Sequence, residues 1–445
     1  MNIPARHRLG GSGRNGTTHR LGWGLADQAV SSLSNFLVVI FVARALGPSG
    51  FGIFSLAYLT YGFSLNVSRG LATDPLVVRY SGVSTDSWRR AVRNATGTAI
   101  TVGCVIGAGC AAVGLVLGGS LGAAFLVLGV LLPGLLLQDS WRYAFFASGQ
   151  GRKSFTNDLA WGLALVPLIA VATHKGGVPW FVLAWGGAGC FAALVGIVQA
   201  GVVPRPTGIR MWLTQHRELG SRYLVENLSM STVTQLRFIS VGAIAGLSAV
   251  GTVRAAEVLL GPWLAVVQGL SMVAVPEAAR ALRRSLRALV VFCGALAIVQ
   301  AVGVALWGLT IMFLVPDALG TRLLGSLWEP ATALMLPTTL AFMGIGFWNG
   351  AAAGLRGLAA APRSLRATLI CACLYLAGGA GGAVAGGALG SAWGVAVATM
   401  TGTAVWWWQF RGGLRDRQEA HAVADLTEAA RTVPTAASPP VTSSP

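Results

Sequence analysis

The chain has 445 residues and a formal net charge of +17; 54% of residues are hydrophobic, only 11% are charged, and mean hydropathy is +0.66. A soluble domain carries roughly 25% charged residues, so a water-surrounded globule is excluded and the class is an all-α polytopic membrane protein. The positive charge does not imply nucleic acid, because the arginines are scattered between apolar segments and form no single stripe; positive-inside topology and anionic lipid head groups account for them.

The first 20 residues, MNIPARHRLGGSGRNGTTHR, are polar, Gly-rich and basic. They lack the form of a signal peptide and read as a disordered cytoplasmic tail. Apolar stretches long enough to cross a bilayer follow at 22–43, 51–70, 95–117, 121–148, 155–173 and 179–202, then at 221–245, 250–274, 288–308, 329–353, 366–388 and 391–411. Backbone in lipid must satisfy its own hydrogen bonds, so all twelve are helices. The first, second, seventh and eighth are polar enough for hydropathy alone to miss them. Residues 412–445, with Ala, Thr, Ser and Pro towards the end, read as a second disordered tail.

Lys and Arg alternate from loop to loop. The even-numbered loops and the tails carry them, as at Arg89, Arg152, Arg283 and Arg363, whereas the odd-numbered loops hold only Arg44, Lys175 and Arg322. Both termini are therefore expected in the cytoplasm. The Trp406-Trp407-Trp408 run falls where an interfacial belt belongs, and Gly378, Gly382 and Gly386 form a close-packing ridge. The six cysteines lie in apolar stretches without a CxxC, and the five histidines lie in tails or loops. No metal site and no cofactor is expected.

The stretch VARALGPSGFGIFSLAYLTYG at 42–62 turns tightly between the first two spans. It recurs as AGLSAVGT at 245–252, with Ser49 matching Ser248 and Gly52 matching Gly251 at an offset of 199. Carried back, the same offset sets Asp27-Gln28 against Glu226-Asn227. Two parallel six-helix repeats follow: an N-lobe (21–203), a cytoplasmic linker (204–220) and a C-lobe (221–411) around a central cavity.

These residues resemble a family. FVARALGPSGFGIFSLAYL is similar to the helix 1–2 signature of polysaccharide-biosynthesis flippases, the oligosaccharide branch of the multidrug/oligosaccharidyl-lipid/polysaccharide exporter superfamily. LLLQDSWRYAFFASGQGRKSFTNDLAWG (135–162) resembles the same branch at helices 4 and 5. The second copy departs from the pattern: its turn lacks the Pro, and it carries Arg254. The resemblance implies alternating access of the two lobes in a bacterial plasma membrane, moving a lipid-linked oligosaccharide or related cell-envelope precursor to the outer leaflet. It also implies membrane lipids, a coupling ion and polysaccharide-assembly proteins as partners. The alternative is a cation-coupled multidrug or small-molecule exporter of the same fold. An enzyme is not expected, since the longest outer loop (309–328) holds only Asp317 and Arg322, with Glu329 at its edge.

Ionisable residues within spans are candidate substrate-pathway residues, because each costs about 2.5–3.5 kcal/mol to insert. Asp27, Ser31, Ser34 and Asn35 share one face of the first span, and Glu226 repeats Asp27; the cavity and the first-turn helix dipole both account for them. Asp139 and Arg142 stand one turn apart and can pair, with Asp158 near the inner end of the fifth span. Together they form a structural network or an inner gate. Arg254 and Glu257 repeat that one-turn spacing. Arg237 lies deep in the seventh span with no acid one turn away, so it meets an acid on another helix or an anionic group of the substrate, or else snorkels to the interface.

Overall fold

The computed structural model describes residues 14–81 and 83–432, with side chains from Val38 to Glu419 apart from scattered positions within 219–276. Every described element is helical. α1 (Arg14–Ser68) contains two spans, broken at Gly47 (φ 66°, ψ −177°) with Pro48 next. Glycine supplies the left-handed turn, and proline suits the first turn of the helix that follows. The second half passes through a π turn (Arg69–Thr73) into α2 (Asp74–Tyr80), so this span is longer than expected. α3 (Thr85–Leu117), α4 (Gly119–Ala147), α5 (Gly151–Lys175) and α6 (Val178–Ala200) complete the N-lobe.

The C-lobe repeats this plan with more interruptions. α7 (Ile209–Ala245) leads into α8 (Leu247–Leu259) and α9 (Gly261–Arg284), which together form one span bent by 56°. α10 (Leu286–Phe313) is followed by two short helices, α11 (Asp317–Leu324) and α12 (Trp328–Ala333). These meet α13 (Met335–Gly357) at 76°. α14 (Ala361–Thr432) holds the last two spans, broken at Gly386 and Gly387. Seven described helices are long and apolar enough to cross a membrane, nine if each bent pair is one span. α1 and α14 each supply two spans, and α7 is helical throughout but too polar to pass on hydropathy.

The repeat is visible in the backbone. Gly246 (φ 87°, ψ 169°) ends α7 as Gly47 ends the first span, 199 residues earlier. At the same end of the molecule Gly52 and Gly251 meet between the lobes. A Cβ added to Gly52 would overlap the Leu247 carbonyl, and one added to Gly251 would overlap the Pro48 carbonyl. The equivalent turns thus close against each other, backbone to backbone, and we call this the turn end. The opposite, arginine end carries the even-numbered loops.

Three expectations are corrected. The 204–220 segment is a 3-10 turn (Pro206–Gly208) and the start of α7 rather than a free linker. Its Trp212 is buried and donates to the Leu71 carbonyl at 3.1 Å. The helix runs on past 411 to Thr432, because that stretch is rich in the helix formers Ala, Leu, Glu and Arg. Likewise the backbone is already helical from Arg14, within the stretch read as a tail. Gly378 and Gly382 do pack closely, against Gly394 and Gly390 of the last span, whereas Gly386 lies in the break.

Candidate functional site

Two buried ionic clusters flank the boundary between the lobes. In the N-lobe the π turn puts Arg69 opposite α4. Its Nε and Nη2 donate to the two carboxylate oxygens of Asp139 at 3.0 and 2.7 Å, and its guanidinium stacks over the Tyr143 ring at 5.2 Å. Arg142 Nε lies 3.2 Å from Asp158 Oδ2 on α5. Gln138 donates to Asp158 Oδ1 (2.9 Å) and to Asn157 Oδ1 (3.2 Å), and Asn157 donates to the Ala192 carbonyl (2.8 Å). The one-turn spacing of Asp139 and Arg142 suggests a local pair; the structure gives each a partner from another helix. Side-chain reach explains the rewiring, since a bidentate fork needs donor and acceptor face to face, and the π turn carries the donor Arg69 opposite Asp139. The result is a polar network tying α1, α4, α5 and α6 together at their arginine-end halves.

The C-lobe cluster is built differently. Arg237 is 2% exposed. Its Nη1 donates to Glu257 Oε1 and to the Tyr375 hydroxyl, both at 2.8 Å, and its guanidinium lies over the Phe238 and Tyr375 rings. The other Glu257 oxygen accepts from Arg254 at 3.2 Å. Of the three readings of Arg237 from sequence, the structure supplies the acid on another helix. The local Arg254–Glu257 contact is present as well, but it is only half of a triad. Among the described residues two guanidiniums share one carboxylate, so the cluster carries one surplus positive charge.

That surplus sits on Arg254. Its side chain is 22% exposed against 3% for Arg237 and 11% for Glu257. It crosses the lobe boundary to lie over the Tyr58 ring of α1 at 5.9 Å. Tyr58 in turn packs in an aromatic cluster with Phe54, Tyr61 and Trp185. Nearby, Gln235 of α7 donates to Thr60 of α1 at 2.9 Å, and towards the arginine end Asn227 donates to Asp74 at 2.8 Å. A small, partly open pocket is lined by Arg237, Glu257, Thr338, Phe342, Tyr375 and Val395 among others. The Arg237 Nε–H has no hydrogen-bond partner in the structure.

The structure thus groups Asp139, Arg142 and Asp158 in one lobe, and Arg237, Arg254 and Glu257 in the other. Asp27, Asn35 and Glu226 have side chains outside the described residues. Sequence reasoning missed Arg69, which closes an expected span and reads as its boundary, and Tyr375, a lone aromatic in the eleventh span. Asp74, just before Pro75, falls beyond the expected end of the second span. They share no single signal: Arg69 and Asp74 lie at or just beyond the rim of the second span, whereas Tyr375 lies in the middle of the eleventh, and each meets a partner far off in sequence. Among the described residues, no group of His, Cys, Asp and Glu could hold a metal ion.

No family model and no curated protein matches the chain. Solved structures do match over nearly its whole length. An inward-facing multidrug-resistance MATE-family transporter of the MOP superfamily superposes with a TM-score of 0.70 at 13% identity, covering 87% of this chain and 96% of that one. The lipid II flippase MurJ in an inward closed conformation gives 0.66 at 10% identity, with 92% and 93% covered. An outward-facing MATE-family transporter gives 0.58 at 14% identity, with 90% and 96% covered. At these identities the likeness shows the fold: this chain has the two-lobed architecture of MOP-superfamily transporters.

Proposed function

We propose that the chain is an alternating-access transporter that carries an anionic, lipid-linked substrate, an oligosaccharide or cell-envelope polysaccharide precursor, from the inner to the outer leaflet of a bacterial plasma membrane. The observation that carries this reading is the surplus charge at Arg254. A cation held at a lobe boundary without a full partner is costly unless something compensates it. A phosphate or pyrophosphate head group does so, because guanidinium binds it through a planar fork. The Tyr58 platform beside it offers an apolar face to whatever the head group bears. In this reading the arginine end is cytoplasmic, which follows the positive-inside bias, and the turn end is outer. The Gly52–Gly251 contact then keeps the outer side shut, in keeping with the higher score against the inward-facing MATE structure.

The remaining pathway residues take supporting roles. Glu257 and Arg237 hold Arg254 in place, and the Asp139, Arg142 and Asp158 network stiffens the N-lobe wall at its cytoplasmic half. Asp27, Asn35 and Glu226 are retained as pathway residues on their sequence positions in the first and seventh spans. The second reading, a cation-coupled exporter, draws on the same MATE-like fold and on the acids Asp27 and Glu226. The test is leaflet transfer of a fluorescent polyprenyl-pyrophosphate sugar in reconstituted vesicles, run beside efflux of a cationic dye. A hydrogen bond to a charged group contributes about 1.5–3 kcal/mol, so Arg254→Ala should slow sugar-lipid transfer about tenfold or more, and Arg254→Lys should restore part of it. Dye efflux that Arg254→Ala leaves intact, with no sugar-lipid transfer by the parent protein, would favour the exporter instead.

A further inference from the structure

The two repeats differ most at the turn end. In the N-lobe, α3 and α4 are joined through Gly118 and Gly119 alone, and a side chain added at either would meet open space. The equivalent connection of the C-lobe, between α10 and α13, is a folded segment containing α11, a 3-10 turn (Gly325–Leu327) and α12. It is rigid. Trp328 is 3% exposed, donates from Nε1 to Asp317 at 2.9 Å, and packs its ring on Gly320. Leu324, Leu327 and Ala331 are fully buried in the same apolar cluster as Val42, Ala43 and Phe51 of the N-lobe.

This segment reaches across the lobe boundary. Gly325 (φ 60°) comes so close to the first outer turn that an added Cβ would lie 3.4 Å from the Arg44 carbonyl oxygen. A Cβ on Gly47 would lie 3.7 Å from Ser326 Oγ. The repeat-equivalent turn of the C-lobe has no such cover, as a side chain at Gly246 would meet nothing within 4 Å. One lobe's insertion therefore grips the other lobe's turn, and the grip runs one way only.

We propose that residues 317–327 form an outer latch, a C-lobe strap that holds the N-lobe's Arg44–Gly47 turn while the outer side is shut and must let go for the lobes to part there. Two rigid lobes that rock about a shared boundary have two discrete packings. Any contact made in only one of them biases the equilibrium towards that one. The strap makes its contact where Gly52 and Gly251 also close, so it adds to the same state. The inference concerns lobe motion and is independent of which substrate is carried.

The test uses the full-length protein with its six native cysteines replaced, reconstituted in vesicles. Arg44→Cys and Gly325→Cys supply a disulfide across the strap, since a Cβ at 325 would lie 3.6 Å from the Arg44 Cα. Gly62→Cys supplies a reporter, because a side chain there points into open space on the α1 face shared with Tyr58 and Asn66. Labelling of residue 62 by an external, membrane-impermeant maleimide is read peptide by peptide. Oxidation should lower it about tenfold and reduction should restore it, which separates latching from misfolding. Asp317→Ala, which loses the Trp328 hydrogen bond without touching the lobe boundary, should raise it about fivefold. The latch is overturned if the two cysteines do not cross-link, if oxidation leaves labelling at residue 62 unchanged, or if Asp317→Ala has no effect on it.

Discussion

The N-lobe and the C-lobe both bury arginine against carboxylate at the lobe boundary, yet they do so with different arithmetic. The N-lobe matches Arg69 to Asp139 in a two-pronged fork and sets Arg142 beside Asp158, one cation for each acid. The C-lobe puts Arg237 and Arg254 on the two oxygens of a single Glu257. Balanced pairs neutralise themselves and leave the wall of the lobe inert. A two-on-one triad leaves a charge over, and presents it from the more exposed partner. The contrast separates charge that holds a structure from charge that is available to a ligand.

The comparison is broken most severely at its shared acid. Glu257→Gln should strand two guanidiniums, one of them almost wholly buried. Losing one partner of a buried pair costs about 3–5 kcal/mol, and here two lose it at once, so this is expected to be the most destabilising of the substitutions considered. The measurement is thermal unfolding in detergent. Arg237→Met combined with Glu257→Gln should recover most of the loss, since no buried charge then lacks a partner. A Glu257→Gln protein as stable as its parent would mean that the triad is already neutralised by another group.

The N-lobe counterpart is Arg69→Ala, which leaves Asp139 4% exposed and without its fork. Arg69 is itself 28% exposed, so water can enter and the loss should be smaller, about 2–3 kcal/mol. Adding Asp139→Asn should restore stability. By contrast Arg254→Ala should cost less than about 1 kcal/mol, because Glu257 keeps Arg237 and Arg254 already borders solvent. Transfer activity should nonetheless fall. If Arg254→Ala proved as damaging to stability as Arg69→Ala, the division into holding and available charge would be wrong.

Much of this architecture is legible in the sequence, because membranes impose simple rules. Alternating arginine-rich loops mark the spans, and the offset of 199 between Gly52 and Gly251 predicts two repeats whose equivalent glycines turn out to touch. The pairs of the site are less legible. Helical spacing exposes only neighbours three or four residues away, as at Arg254 and Glu257. Arg69 and Asp139 are brought together by a π turn, which shifts the helix face and leaves no periodic trace. Arg237 and Glu257 lie on helices joined by a turn, so their separation obeys no helical period at all. The strap at 317–327 looks like an ordinary loop in sequence. Its role depends on a rigid clip between Trp328 and Asp317 and on a neighbour from the other lobe.

A natural control for the buried fork lies at the arginine end. Arg363 donates from Nε and Nη2 to the two oxygens of Asp416 at 2.7 and 2.8 Å, nearly the geometry of Arg69 and Asp139. Here, however, Asp416 is 58% exposed. The hydrogen bonds from Arg363 hold the Asp416 carboxyl below its ordinary range. A depressed acid stabilises the folded state above its unfolded pKa, and that contribution fades as pH falls through the lower folded value. The end of α14 beyond 411 should therefore hold its helix at neutral pH and loosen below about pH 4, near the ordinary aspartate pKa. Amide exchange across 412–419, followed from pH 7 down to pH 3 with correction for the intrinsic rate, measures this. Asp416→Asn should show the loosened behaviour at every pH. High salt should weaken the contact, because exposed pairs are screened. The Arg69–Asp139 fork should withstand the same salt, since geometry alike in both pairs leaves burial as the difference between them. Equal sensitivity of the two forks to salt would show that water reaches Asp139 as freely as it reaches Asp416, and the N-lobe network would then no longer count as a sealed wall.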